Sequence, residues 1–350
     1  MCECETGTVF TMTTLSLEVL KQQLEDFLIR ASGKNAVITS AHPLAGGASR
    51  DMWLIDAEFD HQKRRMVLRR DYASSMVESA LTRAQEFTVM RRAFESGVKV
   101  AEPLYLCDDP SVLGGAFFLM GFVDGIAIGR KIVQMPELAH ARTVLPTQLA
   151  QQLARIHAID TAEFPFLQRP AEGLTPAQAA INDTVAILDS LNIHNPAFEF
   201  ALKWAADHAP VPQKLTFVHG DFRLGNLMIN ADGLTAVADW EFCHVGDPDE
   251  ELGYICMRDW RFGMGHLRFA GIGDREPFLA AYEQVSGRTV DRRAVDWWEL
   301  FGNIRWGVIC MSQANRHFSG LDPSVELASL GRRSAEMQYE MLKMIEAMGV

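Results

Sequence analysis

A chain of 350 residues, 48% hydrophobic and 22% charged, has the length and composition of a soluble globular protein with a sizeable core. Its formal net charge of −12 argues against nucleic acid or an anionic membrane as a partner, since both need a basic face. The six cysteines (Cys2, Cys4, Cys107, Cys243, Cys256 and Cys310) fit neither a disulfide framework nor paired zinc ligands, which implies a reducing, cytoplasmic setting.

Residues 1–15 read as a flexible leader. The opening MCECETGTVF is acidic and lacks the basic and apolar regions of a signal peptide, and Met12 is an alternative start to Met1. No stretch reaches the roughly 18 apolar residues of a membrane span. From Ser16 onward, Leu17, Leu20, Leu24, Phe27 and Leu28 fall on one helical face. The period then changes, and "NAVITSAHPLAGGASRDMWLIDAEF" predicts two strands joined by a turn at Gly46-Gly47. "KRRMVLRRD" predicts a third strand ending on Arg69 and Arg70. A helix closed by Gly97 follows, then strands in "VKVAEPLYLCDD" and "GGAFFLMGFVDG". The order β-β-β-α-β-β predicts a small antiparallel-sheet lobe over 16–124.

After Gly125 the pattern turns helical, as in "LPTQLAQQLARIHAID" and "TPAQAAINDTVAILDSLNI". A short β section at 215–242 interrupts it before helices return. Residues 125–350 therefore form a larger, mainly helical lobe, and the fold class is α+β in two unequal lobes.

Chemistry concentrates in "FVHGDFRLGNLMIN" (217–230) and "VADWEFCHVGD" (237–247), where polar groups interrupt apolar strands. Buried polar groups need partners, so these are either structural hydrogen bonds or the holders of a cation and a reacting group. Asp221 and Asn226 share a loop, and a hairpin turning at Asp232-Gly233 presents Asp239 beside it. Three hard oxygen donors from adjacent segments suit Mg²⁺, which shares its shell with water and phosphate. An aspartate outside the metal shell could act as a general base toward a hydroxyl.

H-G-D-x-x-x-x-N followed by Asp239 resembles the aminoglycoside phosphotransferase family, small-molecule relatives of the protein kinases. The resemblance extends over roughly 40–320 and includes "LARIHAID", with His157, and "VGDPDEELGY". It implies a protein-kinase-like fold with a nucleoside triphosphate, ATP or GTP, between the lobes and Mg²⁺ on Asn226 and Asp239. Asp221 would orient or deprotonate the acceptor hydroxyl, and His219 would brace the loop. Gly46, Gly47 and Ser49 would offer backbone N–H groups to phosphate. Arg69, at the strand position of the kinase lysine, would bind phosphate, with Glu86 as its helical partner. Met120, Gly121 and Phe122 would meet the adenine edge through their backbone. Asp247 would tie down the loop, Glu251 would be structural, and Glu241 would join the metal site or the acceptor pocket.

About ten residues separate Asp239 from the next helix, too few for a long activation segment, so a small hydroxylated molecule is favoured over a protein substrate. The late segments "MRDWRFGMG" and "DWWELFGNIRWGVICMSQANRHFSG" offer Arg258, Trp298 and Arg305 as acceptor-binding candidates. They hold at least as many Arg and His residues as acids, which disfavours a polycationic aminoglycoside. "VLRR" and "NIRWGV" resemble the kinase-like domain fused to acyl-CoA dehydrogenases, which implies a hydroxy acid or hydroxyacyl thioester as acceptor. A non-catalytic nucleotide or metabolite sensor and an aminoglycoside-modifying kinase are the alternatives. The expected state is monomer or homodimer.

Overall fold

The computed structural model describes residues 16–44, 51–70 and 80–349. The glycine turn with Gly46, Gly47 and Ser49 lies outside these residues. In chain order, helix α1 (Leu17–Ser32) precedes strands β1 (Ala36–Pro43), β2 (Asp51–Phe59) and β3 (Gln62–Arg70). Helix α2 (Arg83–Glu95), strand β4 (Pro103–Cys107), the single turn α3 (Pro110–Leu113) and strand β5 (Phe117–Gly121) follow. Next come α4 (Gly129–Gln134), α5 (Ala139–His157), α6 (Pro176–Ser190) and α7 (Pro196–Asp207). Four short strands come after them: β6 (Thr216–Val218), β7 (Leu227–Asn230), β8 (Gly233–Val237) and β9 (His244–Gly246). Helices α8 (Pro248–Tyr254), α9 (Arg275–Ser286), α10 (Arg292–Phe318), α11 (Val325–Leu330) and α12 (Arg333–Met348) complete the order. No helix among the described residues is long and apolar enough to cross a membrane.

Two compact units result, one of residues 1–78 and 102–122 and the other of 79–101 and 123–350. The sequence predicts an unbroken first lobe over 16–124, but the segment carrying α2 belongs with the second unit. Hydrogen bonds tie both its ends there. Leu81 N–H donates to the Glu241 carbonyl at 2.8 Å, and Val237 N–H donates to the Lys99 carbonyl at 2.7 Å.

The first unit is a five-stranded antiparallel sheet in the order β1-β2-β3-β5-β4. Helix α1 starts where the Ser16 hydroxyl accepts the Val19 N–H, a standard N-cap, and buries Leu20, Leu24, Phe27 and Leu28. These join Ile55, Met66, Leu68, Phe117 and Leu119 in one core. Strand alternation puts Met66, Leu68 and Arg70 on that core face and Val67 and Arg69 on the other.

The second unit is mainly helical. α10 is its longest helix and sits in a core with Phe198, Leu202, Trp297, Trp298, Phe301, Ile304 and Met341. β6 pairs with β9 and β7 with β8, giving two small antiparallel sheets. The polar loop of 219–226 runs between these sheets in sequence, leaving β6 and entering β7. That connection places it.

Candidate active site

Gly220 sets the loop's course. Its φ is +85°, and a Cβ there would stand 2.3 Å from the Phe242 carbonyl oxygen, so only glycine fits. His219 on one side is fully buried and works as a brace. Its Nδ1 accepts the Asp221 N–H at 3.2 Å, which puts the ring proton on Nε2, 3.1 Å from the Ala238 carbonyl. Ala238 N–H in turn donates to the Asn226 carbonyl at 2.8 Å. Asp239 is therefore joined through its neighbour to both ends of the loop, and it adopts a left-handed conformation at φ 70°.

The loop is also clamped from α8. Glu251, 1% exposed, accepts the His219 N–H on Oε2 at 3.1 Å and the Gly220 N–H on Oε1 at 3.2 Å. The Oε2 atom also lies 2.9 Å from His157 Nε2, whose ring is fixed by Tyr282 at 2.7 Å from Nδ1. Burial pushes the Glu251 carboxyl up, but the hydrogen bond and charge of His157 outweigh it and hold the group below its ordinary value. Glu251 is structural, as the sequence suggests. Asp247, expected to tie down the loop, instead caps α8 through the Asp249 N–H at 3.0 Å and accepts the Trp298 indole N–H at 2.9 Å.

Asp221 is 8% exposed and takes hydrogen bonds from three side chains. The Tyr254 hydroxyl donates to Oδ1 at 2.7 Å, Asn226 Nδ2 to Oδ2 at 2.5 Å, and Arg223 Nε to the two oxygens at 3.0 and 3.3 Å. Tyr254 stands three residues after Glu251 and so shares its helical face: one face of α8 holds both the loop's backbone and its central carboxylate. Burial and the Asp221 charge push the Tyr254 phenol well above its ordinary value, so it remains a donor. Burial opposes the charge of Arg223, but Asp221 and then Tyr254 keep its guanidinium above the usual range.

Because Asn226 gives its amide nitrogen to Asp221, its side-chain oxygen is the atom left to serve a cation. With the Asp239 carboxylate this makes two hard oxygen donors on adjacent backbone, with no sulfur or imidazole in the set. That donor set fits Mg²⁺, which binds through one or two protein oxygens and fills its shell with water and phosphate.

The first unit carries Arg69, 5% exposed, opposite Phe118 in the sheet. Arg70 points to the other face, where its Nη1 donates to the Leu113 carbonyl at 2.5 Å. Alternation thus removes Arg70 as a substitute for Arg69. At the end of β5, the Gly121 N–H donates to Glu102 at 2.8 Å and the Phe122 N–H to Arg65 at 3.2 Å. Those two donors are engaged within the first unit. Met120 pairs with Val67, on the Arg69 face, and the Phe122 ring is 40% exposed under the Arg65 guanidinium.

Glu86 is fully buried and accepts from Arg83, one turn earlier on α2. Arg83 also reaches Glu241 at 3.5 Å. Trp298 is 3% exposed and packed in the helical core, another correction: its indole serves Asp247, and aromatic bulk explains its burial. Arg305 is exposed and lies 3.8 Å from Glu250, and Arg258 lies 3.9 Å from Glu340. Among the described residues, Trp298, Arg258 and Arg305 make no hydrogen bond or ion pair with Asp221. An aromatic that does approach the loop is Trp260, whose ring lies 4.7 Å beneath the Arg223 guanidinium and 5.7 Å from Tyr254. Sequence reasoning missed Trp260, Tyr254 and Arg83. Only the Glu251–Tyr254 spacing on a short helix hinted at one of them.

Residues 40–298 match the phosphotransferase enzyme family, APH. Mouse acyl-CoA dehydrogenase family member 10 is 32% identical over 206 residues, covering 55% of this chain and 18% of that protein. Chicken acyl-CoA dehydrogenase family member 11 is 28% identical over 224 residues, covering 63% of this chain and 28% of that protein. The chain thus spans less than a third of these curated relatives. Among solved structures, a Ralstonia eutropha protein provisionally classed as an aminoglycoside phosphotransferase superposes with a TM-score of 0.74 at 23% identity, covering 93% of this chain and 98% of that one. The aminoglycoside phosphotransferase APH(4)-Ia, with AMP-PNP and hygromycin B, gives 0.61 at 16% identity over 93% and 99%. At these identities the likeness is one of fold.

Proposed function

The chain belongs to the phosphotransferase enzyme family, and from that premise we propose that it transfers the γ-phosphoryl group of ATP or GTP to a hydroxyl of a small molecule. The observation that carries this reading is the setting of Asp221. Its carboxylate is fixed from three sides, beside two oxygen donors suited to Mg²⁺.

Asp221 orients the acceptor hydroxyl for in-line attack and receives its proton. Asn226 and Asp239 hold Mg²⁺, which when bound neutralises charge developing on the phosphates. Arg69 meets the phosphates with its planar fork. Glu86 and Arg83 brace α2. The segment Met120–Phe122 meets the nucleobase, with the exposed Phe122 ring as its apolar contact. The acceptor class, a hydroxy acid or hydroxyacyl thioester, is supported by the relatives named for acyl-CoA dehydrogenation.

A nucleotide-consumption screen against hydroxy acids, hydroxyacyl-CoAs and aminoglycosides tests the reading. Turnover is expected with the first two, and Asp221→Ala should abolish it while nucleotide still binds by calorimetry. Transfer by Asp221→Ala at the wild-type rate, or turnover of aminoglycosides alone, would overturn it.

A further inference from the structure

Phosphoryl transfer as described leaves Arg223 without a part, although it bonds directly to the proposed base. Among the described residues, its Nε is the only one of its five N–H donors with a partner, donating to Asp221 at 3.0 and 3.3 Å. Among the described residues neither Nη group has a hydrogen-bond acceptor, although the side chain is only 27% exposed. The plane of the guanidinium is set at two points, the Asp221 carboxylate on its Nε edge and the Trp260 ring 4.7 Å below. Trp260 is itself wedged between Tyr254 at 5.7 Å and Trp306 at 5.2 Å, so this floor is rigid. Space for the fork is made by Gly225, where a Cβ would fall 2.1 Å from Nη1.

A cation held immobile and mostly desolvated, with four donors unmatched, is preorganised for an anion. We propose that the two Nη groups of Arg223 form a receptor for an oxyanion at the point of transfer. The inference rests on the reading above for its place beside the reacting atoms, but not for the binding itself. Two sources share this chemistry: the phosphoryl group in passage, and a carboxylate or phosphate carried by the acceptor. Arg223 would then contact a reacting or bound group directly, in addition to bracing Asp221.

The test needs no turnover. Inorganic phosphate and acetate are titrated separately into the intact protein while tryptophan emission is followed, with Trp260→Phe identifying the responding ring. Arg223→Gln is expected to weaken anion affinity about tenfold or more. Gly225→Ala should do the same with charge unchanged, because its Cβ displaces Nη1. Should Arg223→Gln fail to fold, Arg223→Lys keeps a cation for Asp221 but removes the fork, and the same loss is expected. A response to phosphate alone assigns the phosphoryl group as the source. A response to acetate assigns an acidic acceptor. Wild-type anion affinity in the folded variants, or no anion response in the wild type, overturns the receptor. If no acceptor is ever turned over while anion affinity depends on Arg223, the proposed function falls and the receptor stands.

Discussion

Glu251 Oε2 accepts the backbone N–H of His219 at 3.1 Å and lies 2.9 Å from His157 Nε2. With Oε1 on the Gly220 N–H, one buried carboxylate fixes two consecutive backbone amides of the site loop. A glutamine there must turn an NH₂ toward one of these donors. Glu251→Gln is therefore expected to cost about 2–4 kcal/mol of stability. The carboxyl is depressed in the folded protein, so its contribution is present above the ordinary glutamate value and is lost as pH falls through the folded one. Thermal melts across pH should show the variant's deficit shrinking toward acid. A wild-type melting profile would contradict the clamp.

Gly220 offers a sharper steric test. An alanine must hold φ at +85° and clear a backbone oxygen 2.3 Å from its Cβ, and a backbone atom cannot swing aside as a side chain does. Gly220→Ala should lose about 3 kcal/mol or more and nearly all phosphotransfer. Circular dichroism and nucleotide turnover report the two effects. A variant that is both stable and active would show that the loop course is not fixed at this residue.

What could be read from sequence was what depends on local spacing. The 3.6 period gave α1 and the period of two separated Arg69 from Arg70, because each rule concerns neighbours along one element. The spacing of His219, Asp221 and Asn226 was legible for the same reason: one short loop carries all three. Tyr254 and Trp260 were not legible, since their partners Asp221 and Arg223 arrive from a segment distant in sequence and no local pattern specifies them. Trp298 failed in the opposite sense. An indole near arginines reads equally well as a pocket wall or as core, and only packing against α10's neighbours decides for core.

Tyr254 meets Asp221 only through its hydroxyl, while its ring packs on Trp260. Tyr254→Phe removes the donor and leaves the packing. A hydrogen bond to a charged group contributes about 1.5–3 kcal/mol, so kcat should fall roughly ten- to hundredfold if the carboxylate loses its orientation. The KM for nucleotide should stay at its wild-type value, because the bond lies on the proposed base. An unchanged kcat would mean that Arg223 and Asn226 suffice to orient Asp221.

Asp239 combines a left-handed backbone with a proposed ligand role, and substitution can separate the two. Asparagine tolerates positive φ, so Asp239→Asn preserves the turn while removing the charge. The Mg²⁺ concentration for half-maximal turnover is expected to rise on the order of tenfold or more. Melting temperature should stay close to wild type. A metal requirement that does not move would remove Asp239 from the metal site.

Asp247 makes a prediction about stability and pH that runs against that of Glu251. Burial, with the nearby Asp249 charge, raises its carboxyl to about 6, despite the hydrogen bonds from Asp249 N–H and Trp298. The folded protein then binds a proton more readily than the unfolded chain between the ordinary aspartate value and about 6. Its contribution is complete at the acid end of that window and fades as pH rises through it. A shift of about two units corresponds to at most about 3 kcal/mol. Asparagine can still cap α8, so Asp247→Asn should remove this share of the pH dependence without unravelling the helix. Denaturation at pH 4, 5, 6 and 7 should show the variant gaining on the wild type as pH rises, by about 1–3 kcal/mol over the series. Parallel curves would mean that the Trp298 indole and the helix N-terminus keep the carboxylate ionised throughout.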